Sequence, residues 1–238
     1  MKFFYVKMKD RILLVDLFSQ KWTKPEDKTE LSEGEFYFGE KRTVCGSIEQ
    51  IRKQSEITFI SLTDGTCLQT LQLVFDNKKN GMSSDYRKVI ETCTKGATLS
   101  ITGTIVRSPA TGQEIDLRPD RDGVRVFGLI DDPGTYPISK NKLKLEYLRR
   151  FPHLRIRTKI MSSVARIRST CSFETHKFFR DRRFQYVHTP LLTSSDCEGA
   201  GEAFRVTALK PGETDMSKDF FGKEVSLTVS GQLNVETY

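Results

Sequence analysis

Three sets of residues in this sequence carry side chains suited to binding chemistry. The first is the pair Phe59 and Gln72. An aromatic ring on an exposed strand face stacks on an unpaired base, a contact worth about 1–3 kcal/mol. A glutamine amide offers both a donor and an acceptor to a base edge. The plainer reading, a core ring and an ordinary surface amide, stays open on the pattern alone. The second set is Asp196-Cys197-Glu198-Gly199-Ala200-Gly201-Glu202. Two glycines amid carboxylates suit an accessible loop in which Glu198 or Glu202 accepts hydrogen bonds from an ammonium group; a plain acidic loop is the alternative. The third is a basic block. Residues 137–183 hold 14 Lys and Arg against 3 Asp and Glu, while residues 1–136 hold 20 of each and residues 184–238 hold 4 against 8. Such a block attracts polyanions through counterion release, or it is a solvated helix face.

These residues need elements to position them. From Arg42 to Ile130 the pattern is one of short strands and turns. Val44, Gly46 and Ile48 alternate with polar residues, and Ile57–Leu62 is rich in β-branched and aromatic types. Asp64-Gly65 supplies a hairpin turn. The partner strand, Cys67–Phe75, puts Leu71, Leu73 and Phe75 on one face and Thr70 and Gln72 on the other. Tyr86, Val89, Ile90 and Cys93 then fall at helix spacing. Ser83 or Ser84 is the expected cap, and Gly96 the expected left-handed C-terminal residue. Alternation resumes with Leu99, Ile101, Gly103 and Ile105 inward and Thr98, Ser100, Thr102 and Thr104 outward; a last strand covers Val124–Ile130. Three strands, a helix and two strands is the order of the OB-fold, a five-stranded barrel whose strand face commonly binds oligonucleotides.

Asp131-Asp132-Pro133-Gly134 is a turn cluster and marks a boundary. Beyond it, Ile160, Val164, Ile167, Cys171 and Phe178 form the apolar stripe of a long helix. Phe184-Gln185-Tyr186-Val187 reads as a strand with Pro190 at its end, and Val225–Val229 as another. The composition of the 238 residues, 37% hydrophobic and 29% charged, is that of a soluble globular chain. No apolar run reaches the roughly 18 residues of a spanning helix. The five cysteines form no CxxC pair, so neither a disulfide framework nor a metal site is indicated. No secretory signal is evident, and the expected place is a reducing one, the cytoplasm or alternatively an organelle.

Five separated segments resemble the asparaginyl-tRNA synthetases of the bacterial and organellar type. They are His153-Leu154-Arg155, residues 164–168 (ValAlaArgIleArg), residues 184–192 (PheGlnTyrValHisThrProLeuLeu), residues 195–204 (SerAspCysGluGlyAlaGlyGluAlaPhe) and residues 220–233 (PhePheGlyLysGluValSerLeuThrValSerGlyGlnLeu). The resemblance runs from about Arg42 to Tyr238. It implies an α+β multidomain chain: an N-terminal extension (1–41), an OB-fold anticodon-binding domain (42–130), a hinge (131–158) and the incomplete beginning of a class II catalytic domain, an antiparallel sheet with helices (159–238). It implies ligation of asparagine to tRNA(Asn) at the expense of ATP with Mg2+, a homodimer, and no membrane partner. By the same resemblance Phe59 stacks on the central anticodon uridine and Gln72 reads a base. Glu198 and Gln232 meet the asparagine, and Phe179 and Pro190 lie in the segments that build the dimer interface. Aspartyl enzymes resemble this family but carry a lysine three residues after that glutamine. Val235 stands there, and Glu236 is placed to accept from a side-chain amide, so asparagine is the expected substrate.

Ile156 departs from the family's usual proline. Motifs 2 and 3, which hold the family's ATP-gripping arginines and metal-binding carboxylates, are absent from these residues, so no residue is assigned a catalytic or metal role. The expectation is an N-terminal portion unable to catalyse alone; a non-enzymatic truncated paralogue that binds tRNA or a full-length partner is the alternative. Because this displacement depends on cations placed around the phosphates, a polypeptide of these 238 residues should give no asparagine-dependent pyrophosphate exchange above an enzyme-free blank. Exchange well above the blank would overturn the expectation.

Overall fold

The computed structural model describes residues 11–23, 35–78, 80–139, 143–195 and 203–238. The chain divides into two units between Arg168 and Ser169.

In the first unit a short helix α1 (Leu14–Ser19) is followed by two three-residue strands, β1 (Lys21–Thr23) and β2 (Glu35–Tyr37), paired with each other. Then come β3 (Lys41–Lys53), β4 (Ile57–Thr63), β5 (Leu71–Asp76), helix α2 (Ser84–Glu91), β6 (Thr98–Arg107) and β7 (Ile115–Gly128). The five long strands close into a barrel in the order β3-β4-β5-β7-β6. Only β5 and β7 run parallel; the other neighbours are antiparallel. This is the five-stranded OB-fold that the strand order predicts.

Val44, Ile48, Leu71, Leu73, Phe75, Leu99, Ile101 and Ile105 are buried as their alternation predicts, and Ile60 and Leu62 of β4 are buried with them. Helix α2 plugs the barrel with Tyr86 and Val89. Ser83 is its cap, accepting from Tyr86 N at 3.2 Å. The Tyr86 ring meets Phe75 edge-on at 4.9 Å, and its hydroxyl accepts from Asp76 N at 3.0 Å. Gly103 has no substitute, because a Cβ there would run into the Arg118 carbonyl of β7.

Five details differ from the sequence reading. Ser100, expected outward, is 5% exposed. Strand β5 starts at Leu71, not Cys67, because the loop 64–67 is taken up in other hydrogen bonds. Helix α2 ends at Glu91, so Cys93 is buried beyond it. Gly96 is left-handed (φ 98°) but serves a turn, with Tyr136 against its α-carbon, not the helix terminus. Finally, β7 begins at Ile115, nine residues before the predicted Val124.

Residues 11–20, inside the predicted N-terminal extension, belong to the barrel. Leu14 and Leu17 are buried in its core, and Ile12 N donates to Thr43 O at 3.0 Å. Asp64 in the β4–β5 turn accepts from Leu14 N at 2.8 Å at the start of α1, and Thr66 Oγ1 accepts from Val15 N at 3.1 Å. After the Asp131–Gly134 turn come α3 (Leu145–Arg149) and the base of α4 (Lys159–Asp181). Ile138 and Leu148 are buried there. Lys159 reaches Glu49 at 3.4 Å, and the Arg166 guanidinium donates to Thr66 O at 2.9 Å and to Gly65 O.

The second unit holds the rest of α4, strands β8 (Leu192–Thr193), β9 (Arg205–Val206) and β10 (Val225–Leu227), and a one-turn helix α5 (Gln232–Val235). The strands form a small antiparallel sheet in the order β8-β10-β9. Residues 184–187, predicted as a strand, have no ladder partner among the described residues and are coil. Val225 is the one buried large hydrophobic among the described residues of this unit, whereas Phe173, Phe184, Tyr186, Phe204 and Phe220 are exposed. Among the described residues no helix is long and apolar enough to cross a membrane.

The placement of α1 yields a stability prediction. Leu17→Ala should destabilise the barrel by about 2–5 kcal/mol, the cost of a large-to-small change in a packed core. Urea unfolding followed by tryptophan-independent far-UV circular dichroism checks it. An unchanged midpoint would mean that α1 only lies on the surface.

Candidate nucleic-acid interface

Strand β4 alternates strictly. Thr58, Ile60 and Leu62 are buried, and Phe59 and Ser61 face outward. Strand β5 does the same, with Gln72 and Val74 outward. The register pairs Phe59 with Val74 and Ser61 with Gln72. Phe59 and Gln72 are therefore diagonal neighbours on one outer face, a relation that spans roughly 7–8 Å between backbones. Phe59 is half-exposed, so the reading as a core ring does not describe its position.

On the other side Phe59 pairs with Arg52 of β3, whose guanidinium carbon lies 5.8 Å from the ring centroid. That is within reach of a cation–π contact. A cation, a ring face and an amide thus follow one another across three strands. A stacked base, its edge and a neighbouring phosphate call for these groups. Arg52 was not singled out in the sequence, because only the cross-strand register brings it to Phe59.

The surroundings of Gln72 contain a second residue that sequence reasoning missed. Asp116 of β7 lies beside Gln72 in the parallel ladder. Gln72 Nε2 donates to Asp116 Oδ1 at 3.3 Å, and Gln113 Nε2 donates to the same oxygen at 2.6 Å. Gln113 also donates to Ser108 Oγ at 2.9 Å, which in turn accepts from Ala110 N at 3.2 Å. Asp116 is 3% exposed. Burial pushes its carboxyl above the ordinary carboxylate range, against the opposing pull of hydrogen bonds from Ser108, Gln72 and Gln113 and the charge of Arg118. The loop 108–114 is thereby closed over the carboxylate, and the carboxylate holds the amide.

The residues named for the amino-acid side lie in the second unit. Glu198 lies outside the described residues. Gln232 heads α5, and its Nε2 donates to Glu236 Oε1 at 3.0 Å. The structure thus joins Gln232 and Glu236 as an i, i+4 pair, both exposed. The strand predicted over Val225–Val229 stops at Leu227 as β10, and Ser230-Gly231 turns the chain into the helix, where Ser230 Oγ accepts from Gln232 N at 3.1 Å. Phe179 is exposed near the end of α4, edge-on to Phe178 at 5.3 Å and to Phe184 at 5.5 Å; Pro190 is exposed in the coil before β8. Among the described residues no three His, Cys, Asp or Glu side chains gather as a metal site.

Comparison with known proteins bears on both units. Residues 43–121 match the family described as OB-fold nucleic acid binding domain, and residues 144–238 match the class II tRNA synthetases of the D, K and N type. The asparagine–tRNA ligase of Photobacterium profundum is 42% identical over 219 residues, covering 88% of this chain and 46% of that protein. That of Hahella chejuensis is 43% identical over 209 residues, covering 84% of this chain and 44% of that protein. Among solved structures, asparaginyl-tRNA synthetase from Pyrococcus horikoshii complexed with asparaginyl-adenylate superposes with a TM-score of 0.67 at 18% identity, over 84% of this chain and 42% of that one. The Entamoeba histolytica asparaginyl-tRNA synthetase gives 0.62 at 19% identity, over 91% and 44%. The chain spans a little under half the length of these relatives.

Proposed function

Since this chain belongs to the asparaginyl-tRNA synthetase family of class II enzymes, we propose that it serves the ATP-dependent attachment of asparagine to tRNA(Asn), with the barrel as its anticodon-binding domain. The observation that carries this reading is the outward pair Phe59 and Gln72 on a five-stranded barrel, in a chain 42% identical to an asparagine–tRNA ligase.

The division of labour follows from the two units. The domain of residues 42–130 takes the anticodon: Phe59 supplies a stacking face and Gln72 an amide for a base edge. Arg52, beside the ring, adds a charge that draws the phosphate backbone. Residues 131–158 act as a hinge. Residues 159–238 contribute part of the asparagine site, where Glu198 accepts from the substrate ammonium and Gln232 and Glu236 lie by the side-chain amide. Phe179 and Pro190 lie in the surface that meets a second subunit. ATP with Mg2+ belongs to the family's reaction. The described residues do not assemble a metal-binding cluster, so no step is assigned to a metal held by them. The place of action in this reading is the cytoplasm.

Binding to an asparagine-type anticodon stem-loop tests the barrel's role. Phe59→Ala should weaken binding by about 1–3 kcal/mol, the worth of one stacked base. Gln72→Ala should lower discrimination between anticodons more than overall affinity. Unchanged affinity for Phe59→Ala at both low and high salt would remove the stacking role.

A further inference from the structure

We propose that the first unit holds a further ligand site: a cavity of about 440 Å³, between the barrel and residues 136–162, that takes a small phosphate ester on a flat apolar body, of the kind a nucleoside monophosphate presents. Phe59 and Gln72 do not line it, so the site stands whether or not the outer face of β4 and β5 binds RNA. Its volume falls among those of small-molecule pockets, which favour the seam between two packed parts.

One wall is the outer face of β3 and β6. Cys45 and Ser47 point outward between the buried Val44 and Ile48, and Thr98 faces Ser47 across the ladder with the two hydroxyls 3.4 Å apart. Another wall is apolar, made by Tyr136, the buried Ile138 and the half-exposed Ile156. The Tyr136 ring lies against the α-carbon of Gly96, where a Cβ would come within 2.8 Å of it. A side chain at position 96 would push the ring out of place, so the flat wall depends on that glycine.

Charge decides what the cavity takes. Four cations, Arg11, Lys95, Arg157 and Lys159, line it with two carboxylates, Glu49 and Asp64. Both carboxylates are engaged. Glu49 pairs with Lys159 at 3.4 Å. Asp64 accepts from Leu14 N, Thr66 N and the Thr66 hydroxyl. Arg11 and Arg157 are exposed, and no ion pair joins either to a carboxylate among the described residues. Lys95 is half-buried, and burial draws its ammonium below the ordinary lysine range against the charge of Glu49. An ammonium carries three donors, and one short of water gains from a phosphate oxygen. The lining keeps a surplus of two positive charges, about what a phosphate monoester neutralises. Inorganic phosphate would leave the apolar wall bare, and a neutral nucleoside would leave the cations unmatched.

The test uses the 238-residue chain, with adenosine monophosphate, adenosine and inorganic phosphate as probes and affinity read by calorimetry. Adenosine monophosphate should bind at least about tenfold tighter than adenosine, the loss expected when a charged hydrogen bond goes unmade, and tighter than inorganic phosphate. Lys95→Gln and Arg157→Gln should each weaken it by about tenfold. Arg157 is exposed, so its variant reports on binding even where Lys95→Gln fails to fold. The cavity's own cysteines report the location. Bound adenosine monophosphate should slow maleimide labelling of Cys45 and Cys67, mapped by mass spectrometry, and leave the exposed Cys171 of α4 unchanged. No binding, or equal affinity for adenosine and its monophosphate, overturns the proposal. So does binding without protection of Cys45 and Cys67, which puts the nucleotide elsewhere, or an affinity unmoved in both variants. Protection of the two cysteines by an RNA stem-loop but not by the nucleotide also overturns it, and assigns the cations to an RNA backbone.

Discussion

The wall of the barrel is one strand thick, so every residue of β4 and β5 faces either the core or the outside, and the pairing register decides which. Ile60, Leu62, Leu71, Leu73 and Phe75 all go inward. Each is worth about 1.5–3 kcal/mol when buried. A slip of one residue would carry all of them outward and take Phe59 and Gln72 inside. No contact on the outer face approaches that sum. The core therefore sets the register, and the register sets out Arg52, Phe59 and Gln72 in a row. The arrangement of the outer face is a consequence of packing on the opposite side of the same strands.

The turn between those two strands is held from two directions. Asp64 accepts from Leu14 N, Thr66 N and the Thr66 hydroxyl, and so ties the turn to α1. Arg166 donates to the carbonyls of Gly65 and Thr66, and so ties the turn to the base of α4. Backbone groups at a turn normally go to water; these are spent on elements distant in sequence. A turn fastened in this way limits the relative sliding of β4 and β5, and with it the movement of the outward side chains.

Much of this was legible in the sequence because a strand repeats every two residues. The alternation of Leu71–Phe75 and of Leu99–Ile105 places the apolar residues on the inner face, with Ser100, expected outward, as the exception. What the sequence hides is pairing between distant strands. Asp116 is 44 positions from Gln72 and becomes its partner only through the parallel β5–β7 ladder. The start of β7 is further disguised by Pro119, Asp120 and Asp122, which read as loop residues, yet Pro119 sits opposite Gly103 where the ladder is irregular. Helix α1 is a six-residue piece, too short for periodicity to show. Phe184–Val187 errs the other way: its residue types favour a strand, but a strand also needs a neighbour to pair with.

The two units also differ in where their stability arises. The barrel unit holds nearly all the buried apolar side chains, while α4 has 23 residues and none of them buried. Most helical stability in proteins comes from packing of an amphipathic face, and beyond its base α4 has local contacts such as Arg182 over the Phe178 ring at 3.5 Å. Its apolar stripe, Ile160, Val164, Ile167 and Phe178, is exposed along with Phe179. Apolar area of this kind contributes about 25 cal/mol for each Å² that becomes covered. Under the proposed function that area lies in the part of the chain assigned to subunit contact. Association would then supply to α4 the burial that the barrel obtains by closing on itself. The barrel's outer face is set by its own core, whereas the described part of residues 169–238 has little core of its own.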